Sequence, residues 1–222
     1  MYPIKKCILI MLLIFIGKGV YAFQSTDPDD ITINISCNPV FLSLQPYWID
    51  IYRTKGNIKI VYSIRKSLQL DLLNNNNGYI SIRQDYDVMF HSDPASKKWT
   101  DLQKDSLSTK FESLLRNYAI CDKDSLLLDR KMVASYDSLL NHVNNAGVSE
   151  LENTEANKNR HLLDGVFFGF TIISPTGSKK AQAQSPEALS HPLLYELLTK
   201  TCALYRDIKN NNFLDKRKTF GY

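Results

Sequence analysis

The chain has 222 residues, 44% of them hydrophobic, with 27 Lys and Arg against 23 Asp and Glu. This length and composition favour a soluble, folded, single-domain protein. Without Lys5, Lys6 and Lys18 of the N-terminal segment, 24 basic residues face 23 acidic ones. A balance so close to neutral does not favour nucleic acid or an anionic membrane as the partner.

The first 22 residues are predicted to form a cleavable secretory signal peptide. Lys5 and Lys6 precede an apolar run of ten residues from Cys7 to Ile16, and Val20-Tyr21-Ala22 fits a cleavage site. The run is too short to span a bilayer, which takes about 20 apolar residues. We therefore expect a secreted or periplasmic protein, folded as one domain over 23–222, with no membrane span after cleavage.

The N-terminal third is predicted to form β-strands. Apolar and polar residues alternate from Ile31 to Cys37, a second strand is predicted from Tyr47 to Tyr52, and the alternation from Ile58 to Arg65 completes a hairpin. Residues 68–72 and 79–83 are predicted as two further strands, joined by an asparagine-rich turn.

Helices are predicted in the middle of the chain. Apolar residues recur at helical spacing from Pro94 to Tyr118 and from Asp129 to Asn145. The polar stretch 147–159 carries no apolar stripe and is predicted to be a mobile surface loop.

The C-terminal third contains the clearest pair of elements. A strand is predicted within His161–Ser174. It is apolar on both faces from Val166 to Ile173, which predicts a central position in its sheet, and Asp164-Gly165 is a tight-turn signal. A helix is predicted from Ser190–Pro192 onward, with an apolar stripe through Leu194, Leu197 and Leu198. The basic tail from about 210 is predicted to be flexible.

These elements together predict an α+β fold. We expect a mainly antiparallel sheet of four to six strands, with about three helices packed on one face.

Three cysteines remain once the leader is removed: Cys37, Cys121 and Cys202. An odd number permits one disulfide and one free thiol, in any of three pairings. Alternatively, all three are small apolar core residues. They lack the close spacing of a zinc site, and we predict neither a metal nor a cofactor.

One cluster of residues could carry catalysis: Asp85, Asp87, His91 and Asp93. Carboxylates beside a histidine can bind a divalent metal or orient a general base. The alternative is that Ser92-Asp93-Pro94 is a helix start, where Ser and Asp satisfy free N–H groups. The sequence has no phosphate-binding loop, His-Glu-x-x-His or Gly-x-Ser-x-Gly motif.

The first hairpin offers candidate binding residues in Tyr47, Trp48 and Tyr52. Tyr and Trp supply large contact areas and dominate binding hot spots, although core packing is the alternative use of part of this aromatic group. Arg160 and His161 lie before a predicted strand and could bind an anionic group.

These features favour an exported, non-enzymatic binding protein, such as an inhibitor or immunity factor in the cell envelope, with another exported protein as its partner. One alternative is a small exported hydrolase that uses the Asp/His cluster at residues 85–93. Another is an envelope structural component that assembles through a sheet edge or the tail. The sequence leaves the partner and the oligomeric state open.

Overall fold

The computed structural model describes residues 27, 29–39, 45–91, 100–160, 162 and 165–222, without the side chains of residues 89–91, 101, 102, 104 and 105. The predicted signal peptide lies outside this range, as do Asp93, His161 and Asp164.

Within the described residues, six strands form one antiparallel sheet in the order β4-β3-β2-β1-β5-β6. Strands β1 to β4 follow one another as a meander, and the β5–β6 hairpin pairs with the free side of β1. The α+β prediction with a mainly antiparallel sheet is thereby confirmed. The strands are β1 (Ile31–Pro39), β2 (Tyr47–Arg53), β3 (Asn57–Leu68), β4 (Ala119–Asp129), β5 (Val166–Ser174) and β6 (Gly177–Gln184).

The described part of the chain also forms seven α-helices and a 3-10 turn at Arg130–Val133. None of the helices in these ranges combines the length and apolar content needed to cross a membrane. The helices are α1 (Leu70–Asn74), α2 (Asn77–His91), α3 (Asp101–Asn117), α4 (Ala134–Asn145), α5 (Val148–Leu151), α6 (Thr154–Asn157) and α7 (Pro192–Lys209).

One face of the sheet, here called the inner face, forms the core. Ile35 of β1 stands in register with Ile49 of β2 and Phe170 of β5, and all three are buried. Helices α4 and α7 contribute Leu140 and Leu198 to the same cluster. Full burial of one such side chain contributes about 1.5–3 kcal/mol, so this face is the main source of stability.

Three polar residues buried in this core, Tyr62, Tyr136 and Thr201, are hydrogen-bonded. Tyr62 donates its hydroxyl to the Thr201 carbonyl at 2.8 Å, and the Tyr136 hydroxyl lies 2.7 Å from Thr201 Oγ1. Thr201 Oγ1 in turn donates to the Leu197 carbonyl at 2.6 Å. These bonds tie β3, α4 and α7 together in one place.

The opposite face of the sheet, the outer face, carries polar residues and is partly covered by α3. On that helix, Glu112 accepts a hydrogen bond from Asn38 Nδ2 at 2.9 Å, and Arg116 forms an ion pair with Asp50. The ring of Phe111 stacks on Tyr79 of α2, with centroids 6.1 Å apart. The sheet therefore has helices on both faces.

Two predicted strands are wrong: residues 68–72 and 79–83 are mostly helical, in α1 and α2. A short alternation of leucines does not exclude a helix, because Leu is a strong helix former. Among the described side chains, these helices bury Leu73 and Ile82. Part of the asparagine run caps α2, since Asn76 Oδ1 accepts from Tyr79 N–H at 3.0 Å.

Strands β4 and β6 are the two edges of the sheet, and their sequence pattern is weak. In β4 only Leu126 and Leu128 are buried, and in β6 only Ala181 and Ala183. An edge strand has a neighbouring strand along one edge only, so it is less covered and fewer of its residues are buried. The stretch 119–129 therefore carries little periodic signal.

Residues 147–159, predicted as a mobile surface loop, contain the short helices α5 and α6. Leu151 is completely buried, and Asn157 Nδ2 donates to the carbonyls of Ser190 at 2.7 Å and Glu152 at 2.8 Å. The segment is thus fastened to the residues that precede α7.

The tail from residue 210, predicted to be flexible, packs on the core. Leu214 and Tyr222 are buried against the core, and the Tyr222 hydroxyl donates to the Pro186 carbonyl at 2.8 Å. The Arg206 guanidinium holds the turn by donating to the Leu214 carbonyl at 2.9 Å. The aromatic residues that anchor this segment are isolated and follow no period, so no sequence pattern predicts that the tail packs on the core.

Candidate binding site

A polar groove of about 420 Å³ lies between α3 and the outer face of the sheet. Its floor comes from β1, β2, β5 and β6, and its wall is one side of α3. The lining is rich in charged, amide and hydroxyl side chains, which can bind a polar ligand or a polar protein surface. It includes Asn34, Ser36, Trp48, Asp50, Tyr52, Thr109, Glu112, Ser113, Arg116, Thr171, Lys180 and Gln182.

Asp50 and Arg116 form the centre of this site. Asp50 is 5% exposed in the middle of β2, and Asn34 Nδ2 donates to its Oδ1 at 2.8 Å while Arg116 pairs with its Oδ2. The Arg116 guanidinium lies over the ring of Trp48, 5.8 Å from the centroid. Burial of a carboxylate is costly unless it is paired and hydrogen-bonded, so Asp50 holds Arg116 in a defined position.

Two further charges flank the ion pair. Burial raises the pKa of Glu112, whereas the Lys180 cation and a hydrogen bond from Ser36 lower it. Lys180 Nζ donates to Thr109 Oγ1 at 3.2 Å, and no ion pair within 4.0 Å joins Lys180 to Glu112 in the described part of the chain. Glu112 of α3 thus offers an acceptor to the groove, and Lys180 of β6 offers a donor.

Gly169 gives the groove its floor beside Ser36. A Cβ at position 169 would lie 2.8 Å from Ser36 Oγ, which is closer than van der Waals contact allows. Glycine at this position therefore leaves the hydroxyl of Ser36 on the floor of the groove.

A second cavity of about 430 Å³ adjoins the first on the far side of Arg116. The two cavities share Trp48, Asp50, Tyr52 and Arg116, and the second adds residues of β3 and β4 such as Ser63 and Lys123. Tyr52 is 40% exposed. Burial and the Asp50 carboxylate raise the pKa of the Tyr52 phenol, while Arg116 lowers it. Together the cavities make one polar surface along the outer face.

Two of the predicted binding residues, Trp48 and Tyr52, lie at this site. Tyr47 does not: it is 1% exposed on the inner face, with its ring stacked on Phe220 at 6.1 Å and edge-on to Phe168 at 6.3 Å. Its assignment as a binding residue is therefore corrected to core packing. Neighbouring residues of a strand face opposite sides, so Tyr47 and Trp48 could not share one role.

Arg160, the other described candidate, lines a separate cavity of about 340 Å³ and fastens the chain there. Its guanidinium donates to the carbonyls of Gln184 at 2.5 Å and Ser185 at 2.9 Å, and it lies 3.8 Å from Glu187 Oε1. His161 lies outside the described residues, so the predicted pair of Arg160 and His161 stays a prediction.

The hypothetical catalytic cluster falls on α2 and beyond it. Asp85 and Asp87 lie on α2, but residues two apart on a helix do not face each other. His91 is the last residue of the helix with its side chain outside the description, and Asp93 lies outside the described residues. No group of three or more His, Cys, Asp or Glu in the described ranges could hold a metal ion.

The three candidate cysteines are free thiols in this structure. Cys37 and Cys202 are buried in the core, where burial raises the pKa of Cys37 and brings that of Cys202 to about 12. Cys121 is partly exposed on the outer face of β4. The two core thiols therefore stay protonated and act as apolar groups at neutral pH.

Sequence reasoning missed the charged residues of the site. One signal was available: Asp50 interrupts the apolar strand Tyr47–Arg53, and a charge inside such a strand requires a partner. The partner, Arg116, stands 66 residues away in the chain, so no local pattern indicates it.

Comparison of the chain with protein-family models, with curated proteins and with solved structures finds no match.

Proposed function

We propose that this chain is an exported, non-enzymatic binding protein that recognises another exported protein through its outer face, as an inhibitor or immunity factor would. The observation that carries the proposal is the fixed arrangement of Arg116 on Trp48, locked by Asp50 and bordered by the exposed ring of Tyr52. Trp, Tyr and Arg are the residue types most enriched in the hot spots of protein interfaces.

Preorganisation supports this proposal. Side chains that a rigid sheet already holds in place lose little conformational freedom on binding, which lowers the entropic cost of association. The opposite charges of Glu112 and Lys180 flank the ion pair at fixed positions. Charges held in this way favour a complementary partner and disfavour others through like-charge repulsion.

Export is the second part of the proposal and rests on the N-terminal sequence. We expect the mature protein to begin near Phe23 and to be recovered outside the cytoplasm. Mass spectrometry of the N-terminal peptide from the native protein tests this directly. An intact N-terminus in a cytoplasmic fraction would contradict the export of the protein.

Binding can be tested by site-specific photo-crosslinking in the cells that make the protein. A photoreactive residue at Tyr52 should form one discrete adduct with an exported protein. The matched control is Met132, which is 83% exposed on the 3-10 turn and outside the groove lining. Equal adducts at both positions, or none at position 52, would remove the support for a specific partner at the outer face.

The captured partner then allows a quantitative test. We expect a one-to-one complex in calorimetry, and Arg116→Ala should weaken it by about 2 kcal/mol, which is about 30-fold in the dissociation constant. Arg217→Ala, whose side chain is exposed in the tail, is the control and should bind like the wild type. Unchanged affinity in Arg116→Ala would place the interface elsewhere.

A further inference from the structure

Three cations stand on the outer face of β3 and β4, here called the basic strip: Lys59, Arg65 and Lys123. Cross-strand register places Lys123 opposite Ser63, and it places Arg65 opposite Cys121. Lys59 stands between Tyr52 of β2 and Leu127 of β4. The strip therefore begins at the aromatic ring that borders the groove and continues toward the edge of the sheet.

The charges of the basic strip have no ion-pair partner among the residues that the structure describes. No ion pair within 4.0 Å engages any of the three in the described residues. Two acids near the strip already pair with other cations, since Asp50 pairs with Arg116 and Asp122 pairs with Lys66 at 2.8 Å, whereas Asp129, diagonal to Lys59 by register, accepts a hydrogen bond from the Lys131 N–H. The strip thus presents positive charge that a negatively charged group of a partner can compensate.

The electrostatics at Cys121 indicate that Lys123 and Arg65 of the strip lie close to each other. Burial raises the pKa of the Cys121 thiol, while Lys123, Arg116 and Arg65 each lower it. Three cations from β3, β4 and α3 therefore act at one point of the outer face.

Apolar surface accompanies the charge. Leu127 is largely exposed, and Tyr52 and Val61 are partly exposed on the same face of neighbouring strands. A surface of this kind, with an aromatic and aliphatic centre bordered by cations, matches the composition of protein interfaces.

We propose that the basic strip binds an acidic surface of the partner protein, with carboxylates meeting Lys59, Arg65 and Lys123. This inference rests on the proposed function and specifies the chemistry of the partner. A nucleic acid fits less well, because its affinity comes largely from many Lys and Arg contacts to phosphates, and the strip offers three cations among the described residues.

The test uses isotope-labelled mature protein, followed by two-dimensional NMR, with two anionic probes: an oligoglutamate peptide and an oligothymidylate of equal length. We expect oligoglutamate to shift the amide signals of β3 and β4 at low ionic strength and to lose most of this effect in high salt. The double variant Lys59→Ser and Lys123→Ser should weaken binding about tenfold. The double variant Lys131→Ser and Lys216→Ser removes the same charge from exposed positions outside the strip and should bind like the wild type.

Four outcomes decide the matter. The inference would be overturned if oligoglutamate shifted amide signals elsewhere and not those of the strip. It would also be overturned if both double variants reduced the shifts equally. Tighter binding of oligothymidylate at the strip would also overturn it, in favour of nucleic acid. If crosslinking at Tyr52 captures a protein while oligoglutamate does not bind, the proposed function stands and only the acidic partner is wrong.

Discussion

Among changes at the candidate site, we expect removal of the ion pair between Asp50 and Arg116 to have the largest effect on stability. The variant Arg116→Gln leaves the buried carboxylate of Asp50 with Asn34 as its remaining side-chain donor. It also uncovers one face of Trp48. Both effects act on the folded state, so the free energy of unfolding should fall.

The magnitude follows from the burial of the two partners. Removing one partner of a fully buried pair costs about 3–5 kcal/mol. Asp50 is buried, but Arg116 is 37% exposed, so water partly replaces the lost contact. We therefore expect Arg116→Gln to destabilise the protein by about 2 kcal/mol. In the double variant Asp50→Asn and Arg116→Gln the buried charge is absent, and we expect recovery of about 1 kcal/mol.

Urea unfolding of the mature protein, followed by circular dichroism, measures these differences through the transition midpoint. Arg217→Gln is the control, because Arg217 is 93% exposed in its pair with Asp215 and should change stability by less than about 0.5 kcal/mol. The reasoning fails if Arg116→Gln resembles Arg217→Gln, or if the double variant is less stable than the single one by the full cost of Asp50→Asn alone.

Three further predictions concern the frame around the site. Arg130→Ala removes two hydrogen bonds to the Asp137 carboxylate, at 3.0 and 2.9 Å, and should cost about 2 kcal/mol in urea unfolding, whereas Lys131→Ala should cost little. Tyr222→Phe loses one buried hydrogen bond and should cost about 1 kcal/mol, and Tyr222→Ala should cost at least about twice that through lost packing; equal effects would contradict the buried position. Burial lowers the pKa of His191 from 6.5, with a contribution from the Arg160 cation, so the unfolded chain binds this proton more readily than the folded one. The contribution of neutral His191 to the free energy of unfolding should therefore be fully present above pH 6.5 and should be lost as the pH drops below that value. The variant His191→Gln should make the free energy of unfolding depend less on pH in this window. An unchanged pH dependence would show that another group controls it.

The sequence by itself determined the elements in which burial follows a regular period. Burial alternates along β1, β5 and most of β3, and α7 repeats its apolar residues at helical spacing, so local order was enough to place them. Strand β2 is buried on both faces, and its apolar and aromatic content predicts it instead. Export, the single domain and the partner stay predictions from the sequence.

Tertiary structure alone decided where the candidate site lies. The edge strands β4 and β6 and the docked tail bury few residues each, so their signal is too weak to read locally. Tyr47 and Trp48 are equivalent in sequence until the register of β2 places Tyr47 on the inner face and Trp48 on the outer face, where Trp48 lines the groove although it is 4% exposed. Arg116 meets Asp50 only because α3 returns across the outer face. An ion pair between residues far apart in the sequence forms only when the whole chain has folded, so a short stretch of sequence cannot predict it.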